Sequence, residues 1–206
     1  MANRLVCVLD YGSGNVRSVY NVLKHLGHNV VISSEEKVIK NSSHIILPGV
    51  GSFATAMKKI KENLPMQCLE NEVVAKGKPF LGICVGMQVL ADKGYEFEEY
   101  EGLGWISGSV RKLSSGNLSL PHVGWNDFLI ERPDPIFNRL KEYRDFYYVH
   151  SYCFDALRKE DVLAFADYGE KFSAVVCKGN IYGFQFHPEK SQRAGQVLLN
   201  NFVMQA

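Results

Sequence analysis

Apolar runs and amphipathic stretches alternate along the first half of the chain. Leu5-Val6-Cys7-Val8-Leu9 is an unbroken apolar run, the pattern of a strand covered on both faces, and it ends in the turn-forming Asp10-Tyr11-Gly12-Ser13-Gly14. Val16, Val19, Tyr20, Leu23 and Leu26 then recur at helical spacing, with Gly27 placed to end the helix. Asn29 to Ser33 predicts a second strand and His44-Ile45-Ile46-Leu47 a third. The third runs into Pro48-Gly49-Val50-Gly51, after which Ser52 can cap a helix carrying Phe53, Met57 and Ile60 on one face. Lys78 to Ile83 predicts another buried strand, and a helix begins over Val85 to Ala91. This βαβ order implies an α/β fold: a mostly parallel central sheet flanked by helices.

The rhythm changes after that helix. Short strand-like pieces, Gly104-Trp105-Ile106, Asn126 to Ile130 and Phe146 to Val149, are divided by turns and predict antiparallel edge strands. Phe172 to Cys177 and Ile181 to Phe186 read as a hairpin about Lys178-Gly179-Asn180, and a last helix from Gly195 to Met204 offers Val197, Leu198 and Phe202 to the core. With no repeat, linker or low-complexity stretch, residues 1–206 are expected to form one domain.

Composition narrows the function classes. Lys and Arg number 23 against 22 Asp and Glu, with no basic run, which argues against a nucleic-acid partner. No apolar run approaches the ~18 residues of a membrane span, and the N-terminus lacks the pattern of a secretory leader, so a cytoplasmic location is expected. The five cysteines are scattered, without a C-x-x-C pair, which suits a reducing compartment and suggests neither a metal site nor a redox site. No cofactor is expected. Asp10-Tyr11-Gly12-Ser13-Gly14-Asn15 has Arg17 where a dinucleotide fingerprint needs glycine, and it reads as a tight turn with a helix cap.

Gly82-Ile83-Cys84-Val85-Gly86 carries the chemistry. Cys84 falls between a strand and a helix, the geometry of a nucleophile elbow, which exposes the sulfur at the C-terminal edge of a parallel sheet beside a helix N-terminus. Cys7, Cys68, Cys153 and Cys177 have no such setting and read as core residues. His187 follows a strand whose alternation puts Phe184 and Phe186 on one face, so its imidazole emerges at the strand end. Pro188 then lets Glu189 reach the ring nitrogen distal to the sulfur, as a triad carboxylate does. His25, His28 and His44 lie at element ends and suit solvated or capping roles. Acyl transfer also needs an oxyanion hole. Val85 offers one backbone N–H by position, and Val50, between two glycines, offers a second if its peptide turns toward the site; Pro48-Gly49-Val50-Gly51 also fits an ordinary strand-to-helix turn.

The elbow with Met87-Gln88, the Pro48 to Gly51 loop and the terminal His187-Pro188-Glu189-Lys190-Ser191 together resemble the class I, triad-type glutamine amidotransferases over essentially the whole chain. Asp10 to Asn15, Leu120-Pro121-His122-Val123-Gly124-Trp125-Asn126 and Tyr148-Val149-His150-Ser151-Tyr152 resemble the branch serving histidine biosynthesis. The resemblance implies that Cys84 attacks the side-chain amide of L-glutamine, with His187 and Glu189 completing the triad, and that Gly51, Gln88, Ser151 and Tyr152 hold the substrate. It further implies a heterodimer in which ammonia tunnels to a (β/α)8-barrel cyclase subunit, with Pro121, His122, Trp125 and Lys190 near the interface. A paralogous acceptor in surface-sugar modification, or a self-sufficient γ-glutamyl hydrolase, stays open at this point.

Overall fold

The computed structural model describes residues 4–140 and 144–205. Its first half comprises β1 (Leu5–Val8), α1 (Val16–His25), β2 (Asn29–Ile32), α2 (Glu36–Asn41), β3 (His44–Gly49), α3 (Phe53–Asn63), α4 (Met66–Glu70) with a π-helical turn at Asn71–Ala75, β4 (Phe80–Cys84) and α5 (Val85–Gln88). There follow β5 (Lys93–Gly94), β6 (Tyr100–Glu101), β7 (Gly108–Lys112), β8 (His122–Asn126), β9 (Leu129–Ile130), β10 (Phe146–His150), β11 (Tyr152–Ala156), β12 (Val162–Asp167), β13 (Lys171–Lys178), β14 (Ile181–Phe184) and α6 (Gln192–Gln205).

The main sheet runs β2-β1-β3-β4-β14-β13-β12-β9. Strands β2, β1, β3, β4 and β14 are mutually parallel, and β13, β12 and β9 extend one edge antiparallel. Burial explains the unbroken apolar runs: Val6, Val8, Ile45, Ile46, Phe80 and Leu81 are fully inaccessible. Helix α1 turns Val19 and Leu23 into this core, and Gly27, at φ +84°, lets the His28 N–H fold back onto the Leu23 carbonyl at 3.0 Å. Helix α6 buries Leu198 and Phe202. No helix among the described residues is long and apolar enough to cross a membrane.

Several expected elements differ. Gly104-Trp105-Ile106 forms no strand: it is a bend in which the N–H groups of Trp105 and Ile106 both donate to the Leu90 carbonyl, and Trp105 packs edge-on to Phe80 at 5.0 Å. Asn126 to Ile130 divides between the end of β8 and the edge strand β9. Helix α5 stops at Gln88, because the chain then tightens through Leu90 N–H to Met87 O and Ala91 N–H to Gln88 O. Strand β14 stops at Phe184: the chain peels toward a second sheet, and the His187 N–H donates to the Tyr147 carbonyl of β10 at 2.8 Å. Ser52 does not cap α3 with its side chain. Its hydroxyl donates to Thr55 Oγ1, and Glu96 Oε2 accepts the Phe53 N–H at 2.8 Å instead.

Candidate active site

The loops that follow β1, β3, β4 and β14 converge at one edge of the parallel sheet, where open α/β folds bind ligands. Register sets their spacing. Gly49 pairs with Cys84 across β3 and β4, and Phe184 pairs with Ile83 across β14 and β4. The elbow motif is glycine-rich because backbones meet there. A Cβ on Gly86 would stand 1.9 Å from the Leu47 carbonyl oxygen, one on Gly82 would stand 2.3 Å from the Gly86 oxygen, and one on Gly49 would stand 2.5 Å from the Gly86 nitrogen. At the turn, Cys84 adopts φ 56°, ψ −112°, a conformation that typically costs ~1–3 kcal/mol for a residue with a side chain.

Cys84 is 4% exposed, so its sulfur is not displayed on the surface as the elbow pattern suggested. It is reached through a cavity of about 570 Å³, whose wall includes Val50, Gly51, Cys84, Val85, Gln88, Ser151, Tyr152 and His187, with Pro121 and Lys190 also on the lining. The sulfur lies 3.8 Å from the Val149 carbonyl oxygen. His187 Nδ1 and Glu189 Oε1 are 2.9 Å apart and both side chains are buried, which leaves the other face of the ring to Cys84, with which it hydrogen-bonds. Burial opposes a charged imidazole, but the sulfur and the carboxylate outweigh it and push the His187 pKa up to about 10. Both neighbours therefore favour the imidazolium form of the ring. Its turn is pinned by buried Ser191, whose hydroxyl donates to the His187 carbonyl at 2.6 Å and accepts the Tyr147 N–H at 2.9 Å.

Both expected oxyanion donors border this cavity. Val85 opens α5, so its N–H has no acceptor within the helix. Val50 is 42% exposed at the end of β3, and its carbonyl accepts from Ser13 Oγ at 3.0 Å. Gln88 is buried and its amide nitrogen donates to the Tyr152 carbonyl at 2.9 Å and to Gln185 Oε1 at 3.1 Å. Trp125 is half-exposed opposite Tyr147, with ring centroids 5.7 Å apart, and Lys190, which lines the cavity, has its Nζ 5.6 Å above the Tyr147 ring. His122 departs from this outward group. It is 2% exposed and points inward, so its side chain is not available to a partner on the outer face.

Some residues of the site were not singled out in the sequence. Asn15 Nδ2 donates to Glu189 Oε1 at 3.2 Å, bringing the Asp10 to Asn15 loop against the triad carboxylate from 174 positions away. Gln185, fully buried, places Nε2 4.0 Å from the Cys84 sulfur; a lone amide in the apolar run from Ile181 to Phe186 was its only signal. Glu96 and Lys112 put an acid and a base on the cavity wall, and nothing in their surroundings marked them. The other four cysteines are buried away from the cavity. Burial pushes the thiols of Cys7, Cys153 and Cys177 up to about 12 and raises that of Cys68.

Cys84 on a nucleophile elbow, with His187 and Glu189 aligned beside it and a pocket at the sulfur, is the arrangement of an α/β enzyme that transfers acyl groups through a cysteine. The chain belongs to the family "Glutamine amidotransferase class-I", which matches it over residues 7–206. Within that family it is similar to imidazole glycerol phosphate synthase subunit HisH 2 of Vibrio vulnificus, 42% identical over 200 residues that span 96% of this chain and 93% of that one. It is likewise similar to subunit HisH of Bacillus cereus, 43% identical over 198 residues with the same coverage. In fold it matches the structure of PurLQS from Thermotoga maritima, with a TM-score of 0.70 at 21% identity, covering 98% of this chain and 97% of that chain.

Proposed function

We infer that this chain is the glutaminase subunit of imidazole glycerol phosphate synthase. The observation that carries the reading is the alignment of Cys84, His187 and Glu189 at a cavity whose lining also includes Gln88, Ser151 and Tyr152. The Cys84 sulfur attacks the side-chain carbonyl of L-glutamine, and the oxyanion that forms is held by the N–H groups of Val85 and Val50. The imidazolium of His187 protonates the departing ammonia, and the neutral ring then draws a proton from water as it hydrolyses the glutamyl thioester. Glu189, steadied by Asn15, keeps a proton on Nδ1 in both the charged and the neutral ring.

Residues 1–206 act as one glutaminase domain in the cytoplasm, paired with a (β/α)8-barrel cyclase subunit. Ammonia passes to the barrel, which uses it to form imidazole glycerol phosphate and aminoimidazole carboxamide ribotide. Pro121 and Lys190, exposed on the cavity lining, and Trp125, exposed against the Tyr147 ring that Lys190 also covers, support a partner docking on this face. The test is glutamate release from L-glutamine by the chain alone, with the barrel, and with the barrel plus its ribotide. Activity that rises only in the full mixture supports the reading. High activity alone indicates a self-sufficient hydrolase, and silence in all three mixtures indicates a different acceptor such as a sugar-modifying subunit.

A further inference from the structure

Beside the glutamine pocket, two buried histidines outside the triad face each other. Strands β8 and β10 pair antiparallel with His122 opposite His150, and both rings point inward, 2% and 6% exposed. The Tyr152 carbonyl can only accept, so its 2.9 Å contact with His150 Nδ1 puts the proton on that nitrogen. Burial pushes the pKa of His150 down to about 3 and that of His122 down to about 4, so both rings are neutral near pH 7. Neutral His150 therefore has a bare Nε2, which accepts from His122 Nδ1 at 3.0 Å. His122 Nε2 is bare in turn, with the Asn126 amide nitrogen 3.5 Å away. Every donor in this chain points the same way, toward Tyr152.

The Tyr152 end of this hydrogen-bond series lies on the wall of the cavity. The Tyr152 carbonyl also receives the Gln88 amide, and β10 itself supplies the Val149 carbonyl to the Cys84 sulfur and the Tyr147 carbonyl to the His187 N–H. Packing does not require imidazole here. His122 is stacked on Tyr148 at 4.9 Å and on Tyr168 at 4.0 Å, contacts that a phenyl ring could make without burying polar nitrogens. We propose that His122 and His150 are positioning residues: a two-imidazole relay that fixes the Tyr152 peptide, and through it the Gln88 amide and the glutamine-binding wall of the cavity. The proposal rests on the reading of Gln88, Ser151 and Tyr152 as the glutamine pocket.

The test separates the hydrogen bond from the packing. His122→Phe keeps the ring stack and removes the donor, whereas His122→Asn loses the stack and keeps a donor nitrogen near the place of Nδ1. Both are assayed for glutamine hydrolysis in the complex with the cyclase subunit and its ribotide, together with Gln88→Ala. The relay predicts that His122→Phe raises the glutamine KM about tenfold with kcat within about twofold, and that His122→Asn returns KM toward wild type even with a lower thermal midpoint. Equal KM increases in both variants, or an unchanged KM in His122→Phe while Gln88→Ala raises it, would overturn the relay alone. An unchanged KM in Gln88→Ala would overturn the pocket reading, and the relay with it. Ring nitrogen shifts of the wild-type protein give a measure independent of any variant: Nδ1-protonated tautomers at both histidines support the relay, and an Nε2-protonated His150 refutes it.

Discussion

Replacing Glu189 by Gln is the most informative change to the triad, because it removes a charge while leaving an oxygen that can still accept from His187 Nδ1 and Asn15 Nδ2. The His187 pKa stands at about 10 against an ordinary 6.5, even though burial drives it the other way. That difference corresponds to on the order of 5 kcal/mol favouring the imidazolium. The sulfur and the carboxylate together supply more than this net amount. Loss of an adjacent opposite charge usually moves a titration by about 1–3 pH units, so the His187 midpoint in Glu189→Gln is expected to fall by that much. Loss of the triad carboxylate is expected to lower kcat by roughly 10²–10⁴. Ring carbon–proton NMR across pH 5 to 11, assigned with His187→Gln, reads the first quantity, and glutamate release reads the second. Because the folded value lies above the unfolded one, the stabilising contribution of His187 is full below about pH 6.5 and is lost as pH rises toward 10. The thermal midpoint of the wild type should fall over that window, and more steeply than that of Glu189→Gln. An unmoved His187 midpoint with an unmoved kcat would refute the electrostatic role given to Glu189.

Three other outcomes follow from the geometry. Gly86→Ala places a Cβ 1.9 Å from the Leu47 oxygen and must push β3 off the elbow; a cost of about 3 kcal/mol or more, or roughly 6–12 °C in thermal midpoint for a chain of this size, is expected by calorimetry. Iodoacetamide at neutral pH, read by peptide mass, should label Cys84 ahead of Cys7, Cys68, Cys153 and Cys177, whose thiols are raised by burial; equal labelling would contradict the site. Gln185→Leu removes one of the two acceptors of the Gln88 amide and an amide donor 4.0 Å from the sulfur, and should lower kcat/KM for glutamine by about tenfold. Unchanged kinetics would make Gln185 a packing residue only.

The first half of the fold was largely legible because its parallel strands are apolar runs and α1 and α3 show buried stripes, as Val19 and Leu23 do in α1; the short α2 and α4, with one and two buried positions, were not anticipated. The second half was less so. Strands β5 and β6 are two residues long, and β5 finds its parallel partner β7 across a bend, so no local alternation announces the four-stranded sheet they share with β11. Cys84 and His187 were legible as candidates because a glycine-flanked cysteine and a histidine at a strand end each have a local cause. Residues that act through distant partners were not. Asn15 meets Glu189 only after the sheet edges converge, and His122 meets His150 only through the β8–β10 register, so in the sequence each is an isolated polar residue. The inward turn of His122 also could not be read from the loop-like Pro121-His122-Val123-Gly124-Trp125, because facing direction is set by the strand it pairs with.

The central claim is that Cys84 is the nucleophile that releases ammonia from glutamine for a partner subunit. The most direct test is Cys84→Ala in the complex with the cyclase subunit, assayed in parallel for glutamate release from L-glutamine and for ribotide conversion with ammonium salt supplied in place of glutamine. The account predicts that glutamate release disappears while the ammonia-dependent conversion continues at the wild-type rate. Glutamate release that survives the substitution would contradict it.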